Sequence, residues 1–263
     1  MRAYNRGVLI LLTNDDGIFE PGLAAMYRQL NALGEVHVVA PAAGQSASAH
    51  AITLNTPVIC DRVRVGGEFQ GHSVHGQPAD CVKLAVRCLL PRKPDLVVSG
   101  INNGENVGIH VLYSGTVAAA AEAALLGCAA VAVSLERGAE MDFDRAARLA
   151  LRIIGRLLEQ GVRPGQLFNV NIPALRPGWP RGVRVARQST VPYNDRFEPR
   201  KDPEGRDYYW LRGEFADMSS DGDTDLRAQR GGYINVTPLK VDLTDDRLLA
   251  EMAQWGWPEV EPT

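Results

Sequence analysis

Val8-Leu9-Ile10-Leu11-Leu12-Thr13-Asn14-Asp15-Asp16-Gly17 is the stretch on which the reading of the fold turns. Its five consecutive aliphatic residues have the pattern of a strand buried on both faces, as in the interior of a parallel sheet. The run stops at Asn14-Asp15-Asp16-Gly17, which sets two carboxylates side by side where strand gives way to turn. In open α/β sheets, ligands bind beyond the carboxyl ends of the strands. Adjacent carboxylates there repel unless a proton or a cation compensates, and hard divalent cations take oxygen ligands of this kind. Asn, Asp and Gly also dominate ordinary turns, so the rest of the chain decides between a metal site and a turn.

Downstream, Pro21-Gly22 opens a helix with Leu23, Met26, Tyr27, Leu30 and Leu33 on one face and Gly34 as its stop. Residues 36–40 form a second buried strand, so the chain begins β-α-β with a right-handed crossover. A long small-residue loop, residues 41–50, leads into short strand-like pieces at 52–54, 58–59 and 73–74. Residues 78–90 read as a helix, with Val82, Val86 and Leu89 inward. Residues 96–99 read as a third core strand, followed by the Gly/Asn-rich loop 100–108. Tyr113-Ser114-Gly115-Thr116 starts an alanine-rich helix ending at Gly127, and residues 129–134 form the next strand. A long amphipathic helix spans 143–160, with Asp142 as N-cap and Gly161 as C′ residue. Residues 167–172 are the last core strand. This alternation predicts an α/β protein with a Rossmann-like, doubly wound, mostly parallel sheet.

After Pro173 the composition changes. Residues 174–232 are rich in Pro, Gly, Arg and Asp, with short strand-like pieces only at 183–185 and 208–211. So long an irregular segment is not a passive loop. It reads as an extended β arm whose aromatics need a partner to cover them. A returning strand at 233–237 and a terminal helix at 247–255 complete a two-part chain, a catalytic core at 1–175 and an arm-bearing part at 176–263.

A chain of 263 residues with 45% hydrophobic and 22% charged residues is an ordinary soluble globular protein by composition. Its formal net charge of -3 gives no electrostatic reason to expect nucleic acid or membrane as partner. The four cysteines, Cys60, Cys81, Cys88 and Cys128, form no C-x-x-C pair, and Cys81 and Cys88 lie in apolar helical patterns that predict buried free thiols. The chain enters a core strand too soon for a signal peptide and has no apolar run long enough to span a bilayer, so a cytoplasmic protein is expected.

Four features fall in loops after strands: Asp15-Asp16, the 44–50 loop, Asn102 with its glycines, and Ser114-Gly115-Thr116. In a doubly wound sheet those loops share one edge. Carboxylates, a hydroxyl and a carboxamide converging there suit Mg²⁺ or Mn²⁺, while no His or Cys pair has the spacing of a zinc site. Ser114-Gly115-Thr116 alone is an ordinary helix N-cap. Beside a metal site, its free N–H groups, hydroxyls and positive dipole end make a phosphate cradle.

Leu12-Thr13-Asn14-Asp15-Asp16-Gly17, Val39-Ala40-Pro41 with Gln45-Ser46, Gly76-Gln77-Pro78-Ala79-Asp80-Cys81-Val82 and Ser99-Gly100-Ile101-Asn102-Asn103-Gly104 together resemble the SurE (survival protein E) family. So do Tyr113-Ser114-Gly115-Thr116-Val117-Ala118-Ala119-Ala120, Asn169-Val170-Asn171-Ile172-Pro173 and Gly232-Tyr233-Ile234-Asn235-Val236-Thr237-Pro238-Leu239, and the blocks run in order over nearly the whole chain. The resemblance implies a divalent-metal-dependent phosphatase of nucleoside monophosphates on a Rossmann-like core, in a family with members active on short polyphosphate. It implies one Mg²⁺ or Mn²⁺ per subunit, metal ligands at Asp15, Asp16, Ser46 and Asn102, and phosphate-binding positions at Asn106, Ser114, Gly115 and Thr116. It also implies a homodimer or homotetramer exchanging C-terminal segments.

Two departures stand out. Ala47 follows Ser46 where the family usually has Gly, and a positive φ there would cost about 1 kcal/mol, so a rerouted loop is expected. Ile109-His110 stands where many relatives are polar or acidic, and His110 reads as a surface histidine. One aspartate would serve as general base, with direct attack by water, because the two carboxylates are adjacent rather than spaced D-x-D. The rivals are a dehalogenase-type phosphatase with Asp15 as nucleophile and a dinucleotide-binding protein. The latter lacks G-x-G-x-x-G after the first strand.

Overall fold

The computed structural model describes residues 7–216 and 222–258. Residues 1–6, which precede the first core strand, lie outside the described residues, as do 217–221 within the arm segment and 259–263.

The decisive stretch forms β1 (Leu9–Thr13), with every residue buried. It is flanked by β2 (Glu35–Pro41) and β5 (Leu96–Asn103), both parallel to it. Beyond β2 lie β4 (Phe69–His75), parallel, and then β3 (Ile59–Val65), antiparallel to β4. Beyond β5 come β6 (Ala129–Leu135) and β7 (Leu167–Ile172), both parallel. The sheet ends with β11 (Ile234–Leu239), antiparallel to β7, and β8 (Val183–Val185), parallel to β11. The nine-stranded order is β3-β4-β2-β1-β5-β6-β7-β11-β8. Its parallel centre has the Rossmann order, and the crossover direction reverses between β1 and β5, which opens a crevice at their carboxyl ends.

The sheet is wound on both faces because its strands are apolar on both. Ile10 and Leu12 pack toward α1 (Pro21–Leu30) and α5 (Phe143–Glu159), with Leu23, Met26, Ala147 and Ile154. Leu11 packs the other way, with Val82 of α2 (Pro78–Leu84) and Ala119 and Ala123 of α4 (Gly115–Leu125). Pro21 occupies the first turn of α1, and the Asp142 side chain caps α5 by accepting from Arg145 N–H at 2.9 Å. Gly22 is obligatory for close approach, since a Cβ there would lie 2.2 Å from Ile101 O.

The structure corrects several expectations. Residues 52–54 form no strand; Asp80 instead accepts from the Thr53 N–H at 3.0 Å and the Thr53 hydroxyl at 2.6 Å, and holds the segment against α2. The helix expected over 78–90 is α-helical only to Leu84 and continues as a π-helical turn over Ala85–Leu89. That widening turns Cys88 to the surface, so of the two thiols expected inside only Cys81 is buried. In the arm, two nine-residue strands pair antiparallel, β9 (Tyr193–Lys201) and β10 (Asp207–Phe215), where only 208–211 was expected. A short helix, α6 (Asp225–Arg230), precedes β11, and the terminal helix α7 is shorter than expected, Asp246–Met252. Among the described residues no helix is long and apolar enough to cross a membrane.

Candidate active site

The turn after β1 is closed by Asn14, which donates to Gly17 O at 2.9 Å and accepts from Gly17 N–H at 3.3 Å, with Gly17 at φ 122°. This Asx-type closure presents Asp15 and Asp16 at the switch-point crevice. Asp15 is buried; its Oδ1 accepts a hydrogen bond from the Thr116 hydroxyl in the first turn of α4. Burial pushes the Asp15 carboxyl up to about 6, against the Thr116 bond and with help from the neighbouring Asp16 charge. Asp16 Oδ2 accepts from Asn103 N–H at 3.0 Å. Its carboxyl is also raised by burial, with the Asn103 bond and the Arg137 charge opposing.

Asn102 and Asn103 reach this position through an irregularity in β5. Pairing with β6 runs Ser99↔Ala132 and resumes at Asn102↔Ser134, so Gly100 and Ile101 oppose Val133 alone. Bulges of this kind re-aim side chains beside functional sites. Gly100 adopts φ 134°, and a Cβ there would meet Val133 O at 2.2 Å. The Asn102 amide donates to Gly104 O at 2.7 Å, which leaves its carbonyl oxygen as the free acceptor.

The 44–50 loop closes a third side. Gln45 N–H donates to Asp15 O at 2.7 Å, so the exposed Ser46 is the residue next to the point where this loop joins the aspartate turn. Ala47 takes φ 57° and Ala49 φ 50°, so the loop keeps the left-handed turn at Ala47 instead of being rerouted. Two alanines in that region are strained, a cost sustained where surrounding contacts over-determine the backbone. Those contacts are Ala49 N–H to Tyr113 O at 3.1 Å, and His50 Nε2, 3.0 Å from Glu122 Oε2 of α4. Burial works against the charge on Glu122, but hydrogen bonds from His50 and from Lys83, at 2.7 Å, outweigh it and hold its carboxyl below the usual range.

α4 begins at Gly115 with Ser114 as N-cap, whose hydroxyl oxygen accepts from Val117 N–H at 3.1 Å. A Cβ on Gly115 would lie 2.8 Å from Asp15 Cβ and 2.8 Å from Ser48 Oγ, so only glycine admits this approach of helix, turn and loop. Asn106 is turned into the sheet: its amide donates to Ser134 Oγ at 2.8 Å, its N–H to Asn171 Oδ1 at 2.7 Å, and its carbonyl accepts from Asn169 at 2.7 Å. Further along this loop, Asp225 of α6 accepts from Gly108 N–H at 3.0 Å and from Ser189 N–H at 2.8 Å.

The structure therefore brings together Asp15, Asp16, Asn102, Gly115 and Thr116, with Ser46 on the adjoining loop and Asn106 anchored behind. His110, expected at the surface, is half-buried, with its ring 4.9 Å from those of Tyr193 and Phe215 at the base of the arm; burial lowers its pKa. Sequence reasoning missed Ser48, Arg137 and the Asn169–Asn171–Asp225 bracing. A visible signal for the last was the run of Asn in Asn169-Val170-Asn171, polar residues alternating in a core strand. Two surface hollows of about 530 and 610 Å³, around Arg184 and around Val185, share no residue with this edge, which chemistry rather than concavity marks out.

Residues 10–195 match the family model described as survival protein SurE. A protein of Rhodopirellula baltica named 5'-nucleotidase SurE is 48% identical over 94% of this chain and 98% of its own length. A Thermus thermophilus protein named 5'-nucleotidase SurE 1 is 49% identical over 89% of this chain and 92% of its own. The crystal structure of the SurE protein from Aquifex aeolicus superposes with a TM-score of 0.79 at 37% identity, covering 93% of this chain and 98% of that one. With the fold, the ordered sequence blocks and the relatives in agreement, the chain belongs to the SurE family.

Proposed function

We propose that this chain is a cytoplasmic, divalent-metal-dependent phosphatase that hydrolyses nucleoside monophosphates, with Asp15, Asp16 and Asn102 as the core of its metal site and the start of α4 as its phosphate cradle. The observation that carries the proposal is the meeting of Asp15 with the first turn of α4, through Thr116 and Gly115, next to Asp16 on the same turn. The relatives' printed names, 5'-nucleotidase, point to the same chemistry.

The residues present fit a hard cation. Both carboxylates are raised by burial, so their charged forms await a compensating positive charge. Among the described residues no three His, Cys, Asp or Glu converge, so the donors beyond the two carboxylates are neutral oxygens, the Asn102 carbonyl and the Ser46 hydroxyl. That all-oxygen set suits Mg²⁺ or Mn²⁺. When bound, such an ion supplies charge to the phosphoryl oxygens and acidifies water. The chain's own part is to orient the phosphate on the N–H groups of α4 and to offer a carboxylate oxygen of the Asp15-Asp16 pair as proton acceptor for the attacking water. His50 and Lys83, both paired with Glu122, tie the end of the 44–50 loop to α4 and α2.

The order of the central strands would equally suit a dinucleotide, but Asn14-Asp15-Asp16-Gly17 replaces the glycine fingerprint that admits a pyrophosphate. The deciding experiment is a phosphate-release screen over 5'- and 3'-nucleotides and short polyphosphates, with and without EDTA. Release that needs a divalent ion is expected; release untouched by EDTA sinks the proposal. A trapped phosphoaspartate at Asp15 would replace direct water attack with a covalent route. The arm and terminal helix are proposed to join copies of the chain into a homodimer or homotetramer by exchanging C-terminal segments.

A further inference from the structure

Of the two hydroxyls that the sequence assigns to phosphate, one has its proton committed and the other caps the helix as an acceptor. Thr116 donates its only proton to Asp15, so it faces a phosphate with lone pairs alone. Ser114 Oγ accepts from Val117 N–H as the N-cap of α4. A third hydroxyl at this edge is free. Ser48 Oγ is buried and has no hydrogen-bond partner. It lies 2.8 Å from the place a Cβ would occupy on Gly115, and Asp15 Oδ2 lies 3.0 Å from the same point.

A buried hydroxyl without a partner requires an explanation, because native proteins satisfy nearly all such groups. Here the backbone is strained to put it there. Ala47 and Ala49, on either side, both adopt positive φ, and Ala49 is pinned to Tyr113 O, one residue before the cap of α4. The loop thus holds an unused proton donor against the first turn of α4, where Thr116 has no proton left to give.

We propose that Ser48 Oγ donates a hydrogen bond to a phosphoryl oxygen seated at the start of α4, and so is a substrate-binding residue for phosphate monoesters. The inference rests on the reading of this edge as the phosphate cradle.

Inorganic phosphate is the probe, titrated calorimetrically into wild type, Ser48→Ala and Gly115→Ala, with melting temperatures measured in the absence of phosphate. Ser48→Ala is expected to weaken phosphate binding about tenfold, as for loss of a hydrogen bond to a charged group. Its melting temperature without phosphate is expected to stay level or rise, because an unsatisfied buried hydroxyl is removed. A merely structural serine would do the reverse, and unchanged phosphate affinity in Ser48→Ala overturns the inference. Gly115→Ala separates the two levels. If it abolishes binding while Ser48→Ala does not, the cradle stands and Ser48 has no part in it. If wild type binds no phosphate, or Gly115→Ala binds normally, the cradle itself is wrong and the inference falls with it.

Discussion

The Thr116 hydroxyl donates to Asp15 Oδ1 across 101 positions of sequence, so the helix that would cradle phosphate is fastened to the carboxylate that ends β1. The bond favours the charged form of Asp15, against the burial that disfavours it. Thr116→Val removes that support and leaves burial unopposed. A hydrogen bond to a charged group is worth about 1.5–3 kcal/mol. The acidic limb of the pH–rate profile should therefore move to higher pH by about one unit or more. A profile that keeps its limb while activity falls uniformly would assign Thr116 to substrate contact instead.

The displaced carboxyl also makes a stability prediction. Asp15 titrates near 6 when folded and near 3.8 in an exposed chain. Below about 4 it is protonated in both states; as pH rises to about 6, the folded state retains the proton longer and stability from this group is lost. The full loss is about 3 kcal/mol by the conversion of pKa shift to free energy. Chelator-treated Asp15→Asn should thus be as stable as wild type near pH 4 and more stable than it near pH 8, by chemical denaturation. Added Mn²⁺ should stabilise wild type near pH 8 and leave the variant nearly unmoved. An equal response of the two proteins would place the ion elsewhere.

Asp16→Asn tests the neighbouring proposed ligand with less disturbance, because Asp16 is only partly buried and the amide oxygen still accepts from Asn103 N–H. Metal-dependent phosphate release should disappear while the melting temperature stays within a few degrees of wild type. Normal turnover at ordinary Mg²⁺ or Mn²⁺ concentrations would move the metal site away from this turn.

Asp225 tests the bracing from behind. Its buried carboxylate accepts N–H groups from Gly108, Ser189 and Leu226, and so joins the Asn102–Gly108 loop to a helix more than a hundred residues later. Asp225→Ala strands these donors in the interior and should cost about 3 kcal/mol of stability. The nucleotide KM should rise as the loop loosens, and Asp225→Asn should recover part of both effects. Lost stability with an unchanged KM would confine Asp225 to the fold.

How much of this was legible in the sequence follows from periodicity. β1, β6 and the start of β5 are apolar runs buried on two faces, which is why they read as interior strands. β9 was invisible because Tyr193-Asn194-Asp195-Arg196-Phe197-Glu198-Pro199-Arg200-Lys201 projects from the body, is mostly exposed on both faces and carries a proline, so no alternation marks it. Asp15, Asp16 and Gly115 were legible because their chemistry is local to a strand end or a helix start. Ser48 was not: its placement depends on two alanines in a conformation that alanine rarely adopts. The Asp225 brace depends on a tertiary contact that spacing does not encode.

The arm carries the last prediction. β9 and β10 form a two-stranded sheet of their own that leaves Phe197, Tyr209, Trp210 and Leu211 more than half exposed. An isolated two-stranded hairpin is at best marginally stable in water, and contiguous exposed apolar surface of this kind marks a contact face. Its base is anchored by Tyr193 and Phe215, packed on His110 of the short helix α3 (His110–Tyr113) that leads into α4, and within the hairpin the Tyr193 hydroxyl donates to Gly213 O at 2.7 Å. α7 has no buried residue, and beyond it Trp255 and Trp257 stack on each other at 5.7 Å while both remain about half exposed. Two such faces on one chain are covered most cheaply by an identical subunit, through exchange of the projecting elements. Light scattering at micromolar concentration should give a dimer or tetramer; a monomeric mass for the intact, active protein would sink this reading. Deleting the residues after 241 should shift the population toward smaller species. Trp210→Ser with Leu211→Ser should do so at the other face, and with the hairpin base left intact, activity per subunit should outlast the change in mass.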